Sequence, residues 1–66
     1  MEITLNGVQE SLPDGATARQ LLETLALARQ KVALEINGEI VPKSTFGQRL
    51  IRAGDRVEII RAVGGG

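Results

Sequence analysis

The dipeptide Asn-Gly occurs twice in the chain, at Asn6-Gly7 and Asn37-Gly38, each time inside a run that alternates apolar and polar residues. Asn-Gly is the pair best suited to a two-residue hairpin turn, because both central residues of that turn need positive φ. "ITLNGV" therefore predicts a strand carrying Ile3 and Leu5 that turns straight back. "VALEINGEIV" predicts a second hairpin, with Val32, Leu34 and Ile36 on one face and Ala33 and Glu35 on the other. In a chain of 66 residues, two hairpins leave little else to place, and whatever lies between and after them must cover their apolar faces.

The segments outside the turns supply that cover. Val8 to Leu12 alternates poorly, since Glu10 falls on the side of Val8 and Leu12, a pattern suited to a solvent-facing edge strand. Pro13, Asp14 and Gly15 end it. Thr17 followed by Gln20 reads as a capping box, and the spacing of Ala18, Leu21, Leu22, Leu25 and Ala28 predicts a helix with one apolar face. Pro42 cuts the return strand of the second hairpin short and marks it as an edge. Between Ser44 and Ile51 a short helical turn is expected, capped by Ser44 and anchored by Phe46 and Leu50. Gly54-Asp55 makes a last turn before "RVEIIRAV", in which Val57, Ile59 and Val63 share one face and Ile60 and Ala62 the other. Apolar residues on both faces suit a central strand, or one face kept for a partner.

The order hairpin, helix, hairpin, short turn, strand predicts an α+β chain of the β-grasp (ubiquitin-like) type, a mixed sheet of about five strands packed on one main helix. Residues 1–63 are expected to form a single domain and residues 64–66 a flexible glycine tail. A domain of this size buries only about 60% of the surface its unfolded chain exposes. With no cysteine and no histidine it lacks disulfides and the usual metal ligands, so aliphatic packing must hold it together.

Composition excludes several functions. Eight basic and eight acidic residues are interspersed and sum to a net charge of +0, and Phe46 is the only aromatic residue, so neither a basic footprint nor a stacking platform for nucleic acid is present. "MEITLNG" lacks the basic start and apolar stretch of a signal peptide, and no apolar run is long enough to span a bilayer. The expectation is a soluble cytoplasmic protein that binds no metal or cofactor. An enzyme is not expected either. Histidine and cysteine are missing, Ser11 and Ser44 lack a nucleophile elbow, and Glu35, Glu39 and Glu58 fit the solvated side of strands.

What remains is the end of the sequence, "RAVGGG". An α-carboxylate on Gly66 is ionised at neutral pH and is a poor electrophile until it is activated. Three extended glycines reach at most about 10 Å, with no side chain to obstruct a narrow channel into another protein's active site. Ordering them is opposed by roughly 1–2 kcal/mol per residue, which contacts to their backbone must offset.

Across its whole length the chain resembles the ThiS family of sulfur carriers. The likeness lies in "ITLNG", "ATARQLLETL", "VALEINGEIVPK", "AGDRVEIIRAV" and the terminal Gly65-Gly66. It is most specific in the hairpin with Asn-Gly followed by Val-Pro and a basic residue. The resemblance implies a protein substrate. A ThiF-type adenylyltransferase, using ATP and Mg, would turn the Gly66 carboxylate into an acyl-adenylate. Sulfur derived from cysteine by a desulfurase would then displace AMP and leave a thiocarboxylate, which donates its sulfur to a ThiG-type thiazole synthase for the thiazole ring of thiamine. The family's functional residues carry over to Gly65 and Gly66, with Gly64 as added reach in the partner's active site. From the strand pattern, Ile60 and Ala62 are candidates for a docking patch, or for burial under another part of the chain.

Three other readings share features with this one. Other β-grasp sulfur carriers, such as the small subunit of molybdopterin synthase or a tRNA-thiolation carrier, share fold and tail. A ubiquitin-like protein modifier shares the chemistry up to the adenylate. A TGS-like interaction module shares the Gly-Asp-x-Val turn but has no use for free terminal glycines.

Overall fold

The computed structural model describes residues 1–61. Its elements run β1 (Glu2–Leu5), β2 (Val8–Ser11), α1 (Ala18–Thr24), β3 (Val32–Ile36), β4 (Glu39–Ile40), a 3-10 turn (Lys43–Thr45) and β5 (Arg56–Arg61). The five strands form one mixed sheet in the order β2-β1-β5-β3-β4. β5 runs parallel to β1 and antiparallel to β3, so the last strand in sequence is the central one. β2 and β4 lie at the two edges, as the weak alternation of one and Pro42 after the other predict. This is the β-grasp arrangement.

Both hairpins close as expected. Asn6 (φ 48°) and Gly7 (φ 82°) make the first turn and Asn37 (φ 53°) and Gly38 (φ 85°) the second, all in the positive-φ region that a two-residue turn needs. The asparagine side chains do something further. Beyond Leu5, strand β1 has turned away, and the side-chain amide of Asn6 takes its place: Oδ1 accepts from the Ile59 amide at 2.8 Å and Nδ2 donates to the Ile59 carbonyl at 3.4 Å. On the other flank, Asn37 Oδ1 accepts from the Arg56 amide at 2.9 Å and Nδ2 donates to Asp55 Oδ1 at 3.0 Å. The central strand is therefore clipped from both sides by the turns of the two outer hairpins.

One face of the sheet carries Ile3, Leu34, Ile36, Val57 and Ile59, all buried against Ala18, Leu21 and Leu22 of α1. Phe46 and Ile51 close the core from the loop between β4 and β5. The capping box forms: Thr17 Oγ1 accepts from the Gln20 amide at 3.2 Å, and Gln20 Oε1 accepts from the Thr17 amide at 2.8 Å. The next amides are also occupied, with Ala18 N donating to Arg49 O and Arg19 N to Phe46 O.

The helix is shorter than its apolar spacing predicts. It ends at Thr24, Leu25 and Ala28 are exposed, and Leu27 packs on the core instead. The cause is Ala26, which adopts φ 60°. The Leu27 amide reaches back to Leu22 O at 2.7 Å and the Ala26 amide to Glu23 O at 3.0 Å, the paired bonds that reverse a chain after a helix. That conformation normally signals itself through glycine, and here it does not. The 3-10 turn likewise starts from Pro42, without a side-chain cap at Ser44; Leu50 is exposed, and Ile51 takes the anchoring place.

Candidate functional site

Two clefts that flank α1 are not built for catalysis. One, of about 270 Å³, is lined by Leu12, Pro13, Ala16, Leu21 and neighbours, and holds Glu23 as its one ionisable group. The other, between α1 and the 3-10 turn, sets Arg19, Glu23 and Lys43 over an apolar floor of Leu22 and Phe46. In neither does a hydrogen bond join a nucleophile to a base. Among the described residues no group of His, Cys, Asp or Glu could hold a metal ion, and no helix is long and apolar enough to cross a membrane. The first-turn amides of α1, already bonded to Thr17, Phe46 and Arg49, offer nothing to an anion.

The face of the sheet away from α1 is different. Ile60 points there and is 51% exposed, so it is not covered by another part of the described chain. Ala33 stands directly opposite it on β3. Ile40, 65% exposed, shares that face, opposite Glu35. Glu35 is in turn directly opposite Glu58. The sequence pattern places Ile60 on this face. The Ile40 contribution follows from hairpin register, since a two-residue turn at Asn37-Gly38 sets Glu35 against Ile40. The Glu35–Glu58 juxtaposition depends on the long-range register of β3 on β5, for which the local pattern holds no signal. Glu39, grouped with them from sequence, pairs with Ile36 and so lies on the opposite side.

Ala62 and the glycines Gly64, Gly65 and Gly66 lie outside the described residues, as does the expected boundary between residues 63 and 64. What is described is the strand that leads to them: β5, central in the sheet and clipped at Arg56 and Ile59 by the two asparagines.

The ThiS family model matches residues 1–66, the three terminal glycines included. The chain belongs to the ThiS family. It is 32% identical over 66 residues to the sulfur carrier protein ThiS of Escherichia coli, covering 100% of both chains. Its fold superposes on a crystal structure of the thiamine biosynthesis protein ThiS from Geobacter metallireducens with a TM-score of 0.85, at 30% identity and with 100% of both chains covered. It is also 39% identical over 66 residues to a thiazole synthase of Paramagnetospirillum magneticum, and spans 20% of that protein's length. The chain thus spans about a fifth of the length of the thiazole synthases it matches and the whole length of the Escherichia coli sulfur carrier protein.

Proposed function

We propose that the chain is a sulfur carrier of thiamine biosynthesis and not an enzyme, and that it works through the carboxylate of Gly66 as its terminal residue, which an adenylyltransferase of the ThiF type converts to an acyl-adenylate with ATP and Mg. The carboxylate oxygen attacks the α-phosphorus of ATP and pyrophosphate leaves. A persulfide sulfur, drawn from cysteine by a desulfurase, attacks the carbonyl carbon and expels AMP. A thiol then cleaves the S–S bond and leaves the thiocarboxylate. Adenylation is the necessary step, because AMP is a far better leaving group than oxide and the free carboxylate is inert to a thiolate.

The observation that carries this reading is the family match running through Gly64, Gly65 and Gly66. A tail without side chains suits delivery of a carboxyl group into two successive active sites, with residues 1–63 as the single domain behind it. The stretch of a thiazole synthase that is similar to the whole of this chain supports a thiazole synthase as the sulfur acceptor. Exchange with soluble enzymes of these kinds supports a cytoplasmic location.

Intact-protein mass spectrometry tests the proposal and the identity of the terminus together. After incubation with ATP, Mg, cognate adenylyltransferase, desulfurase and cysteine, a fraction of the protein should be heavier by the sulfur-for-oxygen difference, with the change located on Gly66. Deleting Gly66 should abolish the mass shift and leave thermal unfolding unchanged. A wild-type chain that stays in the carboxylate form throughout overturns the mechanism.

A further inference from the structure

Asn6 and Asn37 are alike in sequence and unlike in setting. Each precedes a glycine, whose unhindered backbone nitrogen is the one best able to attack an asparagine side chain, and each sits at positive φ in a two-residue turn. In both turns a clip holds the side-chain amide away from that nitrogen. Asn6 is bonded to the amide and carbonyl of Ile59, a buried residue in the middle of the central strand. Asn37 is bonded instead to Arg56, the first residue of β5, and to Asp55 in the turn before it, through two solvent-exposed bonds. The return strand behind Asn37 has two residues, Glu39–Ile40, against the four of Val8–Ser11 behind Asn6. Segments with few buried contacts and exposed hydrogen bonds open locally at low free energy, so Asn37 is released more often. Among the described residues the Gly38 amide donates no hydrogen bond, and a Cβ at Gly38 would meet nothing within 4 Å.

We propose that Asn37 is a self-modification site, at which the folded chain deamidates while Asn6 is spared. Once the side chain leaves Arg56 and Asp55, the Gly38 nitrogen gives up its proton and bonds to Asn37 Cγ. The Cγ–Nδ2 bond breaks, Nδ2 leaves with a proton as ammonia, and a succinimide ring remains. Water opens that ring. Cleavage at Cγ leaves aspartate, and cleavage at the main-chain carbonyl leaves isoaspartate. Neither product restores the clip. The aspartate still accepts from the Arg56 amide, but where Nδ2 stood 3.0 Å from Asp55 Oδ1 it sets carboxylate against carboxylate. The isoaspartate adds a methylene to the main chain inside the turn and disturbs the pairing of Ile36 with Glu39. Either way β5 loses its hold at the end remote from the tail, and the chain carries a chemical mark of its age.

The test incubates the full chain in mildly alkaline buffer and follows both turns by peptide mapping with mass spectrometry, which reads the replacement of NH2 by OH. In the native chain conversion at Asn37 should outrun that at Asn6 by at least about threefold, whereas in guanidinium the two should proceed at similar rates. Asp55→Ala should speed conversion at Asn37 by about fivefold, the factor that loss of one such hydrogen bond gives, and leave Asn6 unchanged. Asn37→Asp should lower the melting temperature by about 4–8 °C. Adding Asp55→Asn supplies the missing donor and keeps an acceptor for the Arg52 amide, so it should recover most of that loss. Equal rates at the two sites of the native chain overturn the proposal, as does a native chain that converts at neither. A rise at both sites alike in Asp55→Ala overturns it too, because global unfolding and not the clip would then set the rate. An Asn37→Asp variant as stable as the wild type would show that the product is accommodated, against the proposal.

Discussion

Ala26 holds the left-handed conformation that ends α1, at φ 60° and exposed to solvent. A Cβ in that region costs roughly 1–2 kcal/mol through its approach to the following carbonyl oxygen, and glycine removes the clash. The Ala26→Gly variant should therefore be more stable by about 1 kcal/mol, after the greater entropy of the unfolded glycine is subtracted. Urea unfolding would show it as a higher midpoint at unchanged slope. Asp55 has the opposite character. Its Oδ1 accepts from Asn37 Nδ2 at 3.0 Å and its Oδ2 from the Arg52 amide at 2.8 Å, so one side chain ties the last turn to the second hairpin. Asp55→Ala should lower stability by about 1 kcal/mol. Because Asn37 is its partner, Asp55→Ala combined with Asn37→Ala should destabilise by less than the sum of the two single changes, which a double-mutant cycle measures.

Elements whose signals are local are legible in the amino-acid sequence. Asn6-Gly7 and Asn37-Gly38 specify turns within the residues that make them, Thr17 and Gln20 specify a helix start within one turn, and Pro42 ends a strand by lacking an N–H. Ile60 follows from the same local logic, since strand alternation sets it opposite to Val57 and Ile59. The end of α1 is not legible in this way, because alanine carries no mark of the positive φ that Ala26 adopts. Nor are the clips of Asn6 on Ile59 and Asn37 on Arg56, which join residues 53 and 19 apart in sequence. The Glu35–Glu58 contact has the same origin: only the β3–β5 register decides which residues meet. At the helix start, Thr17→Ala removes the acceptor for the Gln20 amide and should cost about 1 kcal/mol, with early fraying of residues 18–24 visible in amide hydrogen exchange.

For the molecule as a whole, the two faces of one sheet differ in burial: one packs against α1 and the other carries the exposed Ile60. A chain of 66 residues has a net stability of about 0.05–0.15 kcal/mol per residue, on the order of a few to ten kcal/mol in total. With no cysteine in the chain, no disulfide adds to it, and much of it rests on packing such as that of Leu34 and Val57, which face α1 and are fully buried. Leu34→Ala removes a large side chain from a site with no exposure and should cost about 2–5 kcal/mol, a large share of the whole. On the opposite face, Ile60→Thr keeps β-branching at a half-exposed position and should change stability by less than about 0.5 kcal/mol. Urea titration of the two variants side by side separates the roles: Leu34→Ala should move the midpoint far down, toward a population unfolded at physiological temperature, while Ile60→Thr should overlay the wild type. If Ile60→Thr unfolded as readily as Leu34→Ala, the outer face would be a second structural surface, and its exposed isoleucine would lose its standing as a contact for a partner.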